Sequence, residues 1–254
     1  MSGTRTRRVA AIVLRQFYLM RGSVARIVPL FAWVAIDIVL WGFITRYLAT
    51  VGAVGFSLVP VLLGAVLLWD FFTRVMQGVT IAFFEDVWSR NFLNIFATPL
   101  SIPEYLSGLV VTSIATSAIG LAVMLVLAIG VFGLSFAPYG AILLPFLLVL
   151  FLFGIALGIA GCAMVLRLGP ASEWFVWPIP ALLSPFVGVF YPLATLPTWM
   201  QTIGYLLPPT YVFEGMRAIV LGNHFSAGTL LAGAALSVLY ILLAARLFVR
   251  VFRY

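Results

Sequence analysis

The chain has 254 residues, of which 64% are hydrophobic and 8% charged, and its mean hydropathy is +1.21. Globular chains carry about 25% charged residues, so this composition excludes a soluble domain. The net charge of +7 comes from basic residues scattered near the ends of apolar segments, which favours contact with anionic lipid headgroups and excludes a compact nucleic-acid site. A membrane span needs about 20 apolar residues, so the sequence predicts an all-α integral membrane protein with roughly six spans.

The N-terminal segment, residues 1–26, predicts an amphipathic helix that lies in the membrane interface. Arginines interrupt the apolar run that a signal peptide needs, and no small-residue cleavage site follows. The helix is predicted to place apolar residues on one side and arginines on the other, namely Val9, Ile12, Val13 and Phe17 opposite Arg8 and Arg15.

Six apolar windows follow and predict six transmembrane helices. They cover about residues 28–49, 56–84, 105–132, 140–166, 174–191 and 228–249. With both termini in the cytoplasm, every arginine except Arg46 and Arg217 falls on the cytoplasmic side. Arginines resist translocation, so this distribution predicts that orientation.

Three charged residues fall inside the first two windows. Asp37 lies near the middle of the first, and Asp70 and Arg74 lie one turn apart in the second. Charges within a membrane are costly and usually face a bundle interior or water. Two interpretations stay open: the residues pair structurally with one another or with a neighbouring helix, or they line a path for a substrate.

The connection between the second and third windows, "FEDVWSRNFLNIFATPLS", interrupts the apolar pattern with a polar, helical segment. Its bulky apolar residues share one helix face and its polar residues lie largely on others: Trp88, Phe92, Ile95 and Phe96 against Asp86, Arg90 and Asn94. Ser101 and Glu104 have the spacing of a capping box that starts the third span. The residues alone leave open whether this helix rests on lipid headgroups or docks a soluble partner.

Residues 186–223 are too apolar for a free loop, yet prolines divide them into pieces too short to cross a membrane. We therefore expect a re-entrant hairpin of two short helices, residues 192–223, that dips back from the outer side. Within it Glu214 and Arg217 lie three residues apart, which places them to pair on one helix face.

All 14 basic residues are arginine, and the missing lysine excludes a P-loop and a Schiff-base cofactor. The single histidine, His224, lies in a Gly/Ser-rich turn, and the single cysteine, Cys162, lies in an apolar segment. No pattern indicates a catalytic group, a metal site or a bound cofactor. Any nucleotide energy must therefore come from another polypeptide.

Two motifs resemble one family. The stretch "RNFLNIFATPLSIPEYLSG" is similar to the cytoplasmic loop of type-2 ATP-binding cassette (ABC) permeases, and "GVFYPLATLPTWMQTIGYLLPPTYVFEGMRAIVLG" is similar to their signature before the last span. The resemblance covers residues 1–254 as one permease domain and implies that the loop 85–104 couples to an ATPase subunit. The residues that carry this implied contact are Glu85, Asp86, Trp88, Arg90, Phe92 and Phe96.

The resemblance also implies that one chain forms half a pore, so that two copies assemble with two ATPase chains that hold ATP and magnesium. The expected function is ATP-driven export of an amphiphile (a lipid-linked glycan, a glycolipid or a hydrophobic drug) across a bacterial inner membrane. The chain itself performs no bond chemistry. The alternative is an ATP-independent channel or secondary carrier, which predicts matched broken helices in both halves of the chain; the sequence has one broken hairpin.

Overall fold

The computed structural model describes residues 2–51, 59–135 and 139–253. These residues form α-helices joined by short turns and contain no strand, as the all-α prediction requires. The helices are α1 (Ser2–Arg21), α2 (Val24–Val51), α3 (Val59–Trp88), α4 (Phe92–Phe96), α5 (Ile102–Phe132), α6 (Leu143–Leu168), α7 (Glu173–Val176), α8 (Ile179–Val187), α9 (Thr198–Tyr205), α10 (Pro208–Val220) and α11 (Ala227–Phe252).

Four helices in the described residues are long and apolar enough to cross a membrane. They are Val61–Trp88, Ile102–Phe132, Gly140–Leu168 and Ala227–Phe252, and they coincide with the second, third, fourth and sixth predicted spans. α2 has 28 residues, a length of about 42 Å at the usual rise per residue, and it contains the first predicted span. The fifth predicted span is divided between α7 and α8, of 4 and 9 residues, so the count of six spans stays a prediction.

α3 lies at the centre of the bundle, in contact with α2, α5 and α6. It approaches α6 closely because glycines of α6 leave no side chain in the way. A Cβ atom built on Gly154 would lie 2.9 Å from Val75, and one built on Gly158 would lie 2.8 Å from Val79. Small residues allow such approach in membrane helices, where van der Waals packing supplies much of the association energy.

α5 is fixed between α3 and α1 by two further close approaches. On one side Ser113 of α5 sits against Gly78 of α3 and donates a hydrogen bond to the carbonyl oxygen of Val75 at 2.8 Å. On the other side Ile12 of α1 fills the notch at Gly108, where a built Cβ atom would lie 2.6 Å from the isoleucine. The N-terminal helix is therefore packed onto the bundle.

The polar segment between α3 and α5 is divided by a tight turn. α3 continues to Trp88, and α4 comprises only Phe92–Phe96. Between them Arg90 adopts a φ of 54°, and the N–H of Asn91 donates to the carbonyl oxygen of Asp86 at 3.1 Å. This pattern is a Schellman helix end, in which the left-handed position usually carries glycine. The expected cytoplasmic helix is thus the last turn of α3 followed by a short α4.

The prolines of the predicted hairpin set the helix starts. α9 begins directly after Pro197, and α10 begins at Pro208. The hydroxyl of Thr210 donates to the carbonyl oxygen of Gly204 at 2.6 Å and closes the corner between the two helices. α10 then packs against α6 and α11. Re-entry of these helices into the membrane stays a prediction.

We expect Gly158→Ala to destabilise the bundle by about 1–3 kcal/mol, because the added methyl group meets Val79 and the carbonyl oxygen of Met76 at 3.0 Å or less. Gly130→Ala is the matched control, since no atom lies within 4 Å of a Cβ built there, and alanine favours the helix by up to about 1 kcal/mol. Thermal unfolding in detergent measures both. Equal melting temperatures for the two variants would contradict the close α3–α6 contact.

Candidate coupling surface and polar cavity

Asp86, in the last turn of α3, joins three helices at one end of the bundle. Its side chain is fully buried. The carboxylate forms an ion pair with Arg15 of α1 and accepts a hydrogen bond from the hydroxyl of Tyr105 of α5 at 2.8 Å. A buried charge is tolerated only with such partners. Asp86 is therefore an internal anchor in this structure and presents no group to a partner protein.

Glu104 provides a second link between α1 and α5. Its carboxylate accepts a hydrogen bond from the backbone N–H of Ser101 at 2.9 Å, so the predicted capping box is confirmed. The same carboxylate lies 3.4 Å from the guanidinium of Arg8. Because the side chain of Arg8 is 40% exposed, this ion pair contributes little by itself.

α1 turns a face of mixed polar and apolar side chains toward the bundle. Gln16 is 2% exposed and donates to a carbonyl oxygen of α3 at 3.5 Å. Ile12 is buried on this same inner face, next to Arg15, whereas Phe17 is 55% exposed. The predicted division of α1 into an apolar side and an arginine side is therefore wrong for Ile12, because Ile12 is four residues after Arg8 and three before Arg15 and so shares their helix face.

The aromatic residues of α4 also pack inward. The ring of Phe92 lies 5.0 Å from Phe96 and 6.1 Å from Tyr105, and Phe96 lies 4.8 Å from Phe252 at the end of α11. Both rings of α4 are half-buried. The rings of α5 and α11 therefore cover part of this face, and the expectation that it seats in a partner stays a prediction.

The outward surface of the α3–α5 connection is mainly polar. Arg90 and Asn94 are exposed, as is Pro99. Trp88 is 51% exposed, but its indole N–H donates to the carboxylate of Glu173 at 2.7 Å. We call these four residues, Trp88, Arg90, Asn94 and Pro99, the coupling surface. It is held in place by the buried contacts beneath it.

A cavity of about 560 Å³ opens between α1, α2, α3 and α5. On α3 its lining follows helical spacing, so one stripe of that helix faces the cavity. The polar lining residues are Gln16, Asp37, Asp70, Thr73, Arg74, Gln77, Glu85, Thr112, Thr116 and Ser117. The structure therefore brings the predicted membrane charges together and adds Glu85, which was expected in the coupling loop.

Arg74 lies among the carboxylates of this cavity. Its side chain rests on Gly120 of α5, where a built Cβ atom would lie 3.1 Å from the arginine Cδ. It interacts electrostatically with both Asp37 and Asp70. Arg74 and the two aspartates thus interact within the lining of the cavity, and the interpretation of these residues as a substrate path stays a prediction.

Glu214 and Arg217 form the predicted pair in α10, with 2.7 Å between Oε1 and Nη2. Arg217 also donates to the carbonyl oxygen of Gly188, at 2.7 Å, and Glu214 accepts from the backbone N–H of Leu193, at 2.8 Å. The pair therefore fastens the turn after α8 onto α10. Its role in the fold is to hold the end of α8 and the turn that follows against α10.

Several residues of these sites carry little sequence signal. Arg15 and Tyr105 are distant from Asp86 in the chain, and nothing in their local patterns indicates contact. The hydroxyls of Thr112, Thr116 and Ser117 do recur at helical spacing on α5, and that polar stripe in an apolar window was an available signal for the cavity.

Within residues 2–51, 59–135 and 139–253, no group of three His, Cys, Asp or Glu side chains is placed to hold a metal ion. Residues 8–221 match the family model described as "ABC-2 type transporter". The matched range begins in α1 and ends just after α10, so it includes the candidate coupling surface, the cavity and the α9–α10 hairpin. No curated protein matches the chain.

We expect Arg15→Gln to lower the free energy of unfolding by about 3 kcal/mol, because it leaves the buried carboxylate of Asp86 without its counter-charge. Arg7→Gln, an exposed position on the same helix, should change it by less than about 0.5 kcal/mol. Denaturant unfolding in mixed micelles checks both. Similar free energies of unfolding for the two variants would show that the buried carboxylate of Asp86 does not need Arg15 as its counter-charge.

Proposed function

The chain belongs to the ABC-2 type transporter family, and we propose that it is the membrane subunit of an ATP-driven exporter of amphiphiles. Membership makes it a multi-pass permease component that is not itself an ATPase. Membrane domains of this family generally work with an ATPase subunit. The direction of transport, the cargo and the driving energy belong to the proposal.

The observation that carries the proposal is the anchored coupling surface. Arg90 and Asn94 are exposed, while directly beneath them Asp86 contacts Arg15 of α1 and Tyr105 of α5. A force applied by a soluble partner at this surface would therefore move α1, α3 and α5 together. This is the mechanical property that a contact between an ATPase and a permease needs.

The proposed assembly contains two copies of this chain and two ATPase chains, which bind ATP and magnesium. In it the coupling surface and both termini face the cytoplasm of a bacterial inner membrane. Arg5, Arg7, Arg21 and Arg250, which are exposed at this end of the structure, support that orientation because arginines resist translocation. The outer hairpin then lies on the opposite side.

Arg90 gives a clean test because its backbone is left-handed. Arg90→Gly should keep or raise the melting temperature, since glycine suits this position better, yet it should slow association with the ATPase several-fold. Arg90→Glu should slow it further and reverse the salt dependence, because charges at the rim of an interface act mainly on the association rate. Surface plasmon resonance at two salt concentrations measures both effects.

Arg46→Glu is the matched control, an exposed charge reversal near the far end of α2, and it should leave ATPase association unchanged. Wild-type association in both Arg90 variants would refute the coupling surface. Transport by purified chain in vesicles without ATP or any ATPase would instead favour a channel or secondary carrier.

In the outer hairpin, we expect Arg217→Gln to speed amide hydrogen exchange at residues 189–193 by tenfold or more. The change removes hydrogen bonds to the carbonyl oxygens of Gly188 and Val189, and bonds to a charged donor contribute about 1.5–3 kcal/mol. Exchange at residues 85–104 and ATPase association should not change. Loss of the ATPase in this variant would mean that the proposed orientation is inverted.

A further inference from the structure

The end of α11 carries three arginines on one exposed face. Arg246, Arg250 and Arg253 follow one another at intervals of four and three residues, and all three side chains are exposed. The opposite face of the helix carries Ala244 and Phe248, which are buried. The arginine face is therefore turned away from the helices that α11 packs against, which are mainly α6 and α10.

These three charges are not balanced within the described part of the chain. The ion pairs between described residues are formed by other arginines. Like charges three or four residues apart destabilise a helix, and Arg250 lies between two of them. The helix dipole favours a cation in the last turn, where Arg250 lies, but it has little effect on Arg246, more than one turn from the end. An anion from outside the chain would relieve the repulsion.

The same face provides an apolar surface next to the charges. Leu242, Ala245 and Val249 line an open groove of about 630 Å³ together with the three arginines, and we call it the basic groove. Leu239, one turn before Leu242, is exposed as well. Along the helix, this surface thus passes from aliphatic side chains to guanidinium groups.

This order of groups matches the order of groups in a phospholipid. α11 is long and apolar enough to cross a membrane, and arginines near the end of such a helix extend to the headgroup level. Guanidinium groups bind phosphate through parallel N–H donors. At the usual rise per residue, Arg246 and Arg253 are about 10 Å apart along the axis, so their long side chains and that of Arg250 can converge on one headgroup.

We propose that the basic groove binds one acidic phospholipid. The phosphate group of the lipid contacts Arg246, Arg250 and Arg253. Its acyl chain lies along Leu242 and Leu239. A zwitterionic headgroup would bring a cation of its own toward the arginines, so the groove prefers a lipid with net negative charge. The site concerns the surrounding membrane and not the cargo, and the proposal therefore stands apart from ATP-driven export.

Native mass spectrometry of the full chain in a non-ionic detergent tests the proposal. Titration with phosphatidylglycerol and with phosphatidylcholine of the same acyl chains should show that the first phosphatidylglycerol binds at least tenfold more tightly. Arg250→Gln should weaken phosphatidylglycerol binding about fivefold, because an arginine near anionic lipid contributes about 1 kcal/mol. Replacement of all three arginines by glutamine should abolish the preference.

Arg5→Gln is the matched control, because Arg5 is an exposed arginine of α1 outside the basic groove. It removes the same charge and should leave phosphatidylglycerol binding unchanged. All the replaced side chains are exposed, so the variants should keep the wild-type melting temperature. Glycerol 3-phosphate, which has the anionic group without acyl chains, should not displace the bound lipid.

Three results would overturn the proposal. Equal weakening by Arg5→Gln would indicate a diffuse attraction between a basic protein and acidic lipid. Displacement by glycerol 3-phosphate would indicate a site for a free phosphate group. Unchanged phosphatidylglycerol binding in the triple variant would refute the lipid site, and slower ATPase association in that variant would then assign the arginines to a protein contact.

Discussion

The buried carboxylate of Asp86 is the constraint on which one end of this molecule depends. A charge without water must be matched by groups of the protein, and here the partners come from α1 and α5. These contacts connect the N-terminal helix and the start of α5 to the last turn of α3, next to the exposed turn at Arg90. The position of the coupling surface thus follows from the needs of an internal charge.

The two sides of α3 make different kinds of contact with the neighbouring helices. Toward α6 it meets the glycines Gly154 and Gly158, and the backbones approach closely. Toward α5 and α2 it carries the polar stripe that includes Asp70 and Arg74. In a membrane, the face toward α6 stabilises the bundle by van der Waals packing. The polar face toward α5 and α2 is tolerated only where it borders a cavity or contacts other polar groups. The asymmetry of one helix therefore decides where the cavity lies.

Features that depend on residues close together in the sequence could be predicted. Contacts between residues far apart in the sequence could not. The capping box at Ser101 and the pair of Glu214 with Arg217 involve residues three apart, so helix geometry alone predicted them. The inward packing of Phe92 could not be predicted, because helical periodicity identifies an apolar face without identifying what covers it. The cover comes from Tyr105 and from the end of α11.

α3 contacts or contributes to the candidate coupling surface, the cavity wall and α10. At one end Phe83 contacts Phe248 of α11, and toward the other Trp69 lies 6.0 Å from Phe213 of α10. Packed helices shift between discrete arrangements more readily than they deform, because interiors are dense. A displacement of α3 at Asp86 would therefore reach Asp70, some 16 residues away or about 24 Å along the axis, as a movement of the whole cavity wall. The polar groups that α3 contributes to that wall, Asp70 and Arg74 among them, would then move together relative to the facing side chains of α2 and α5.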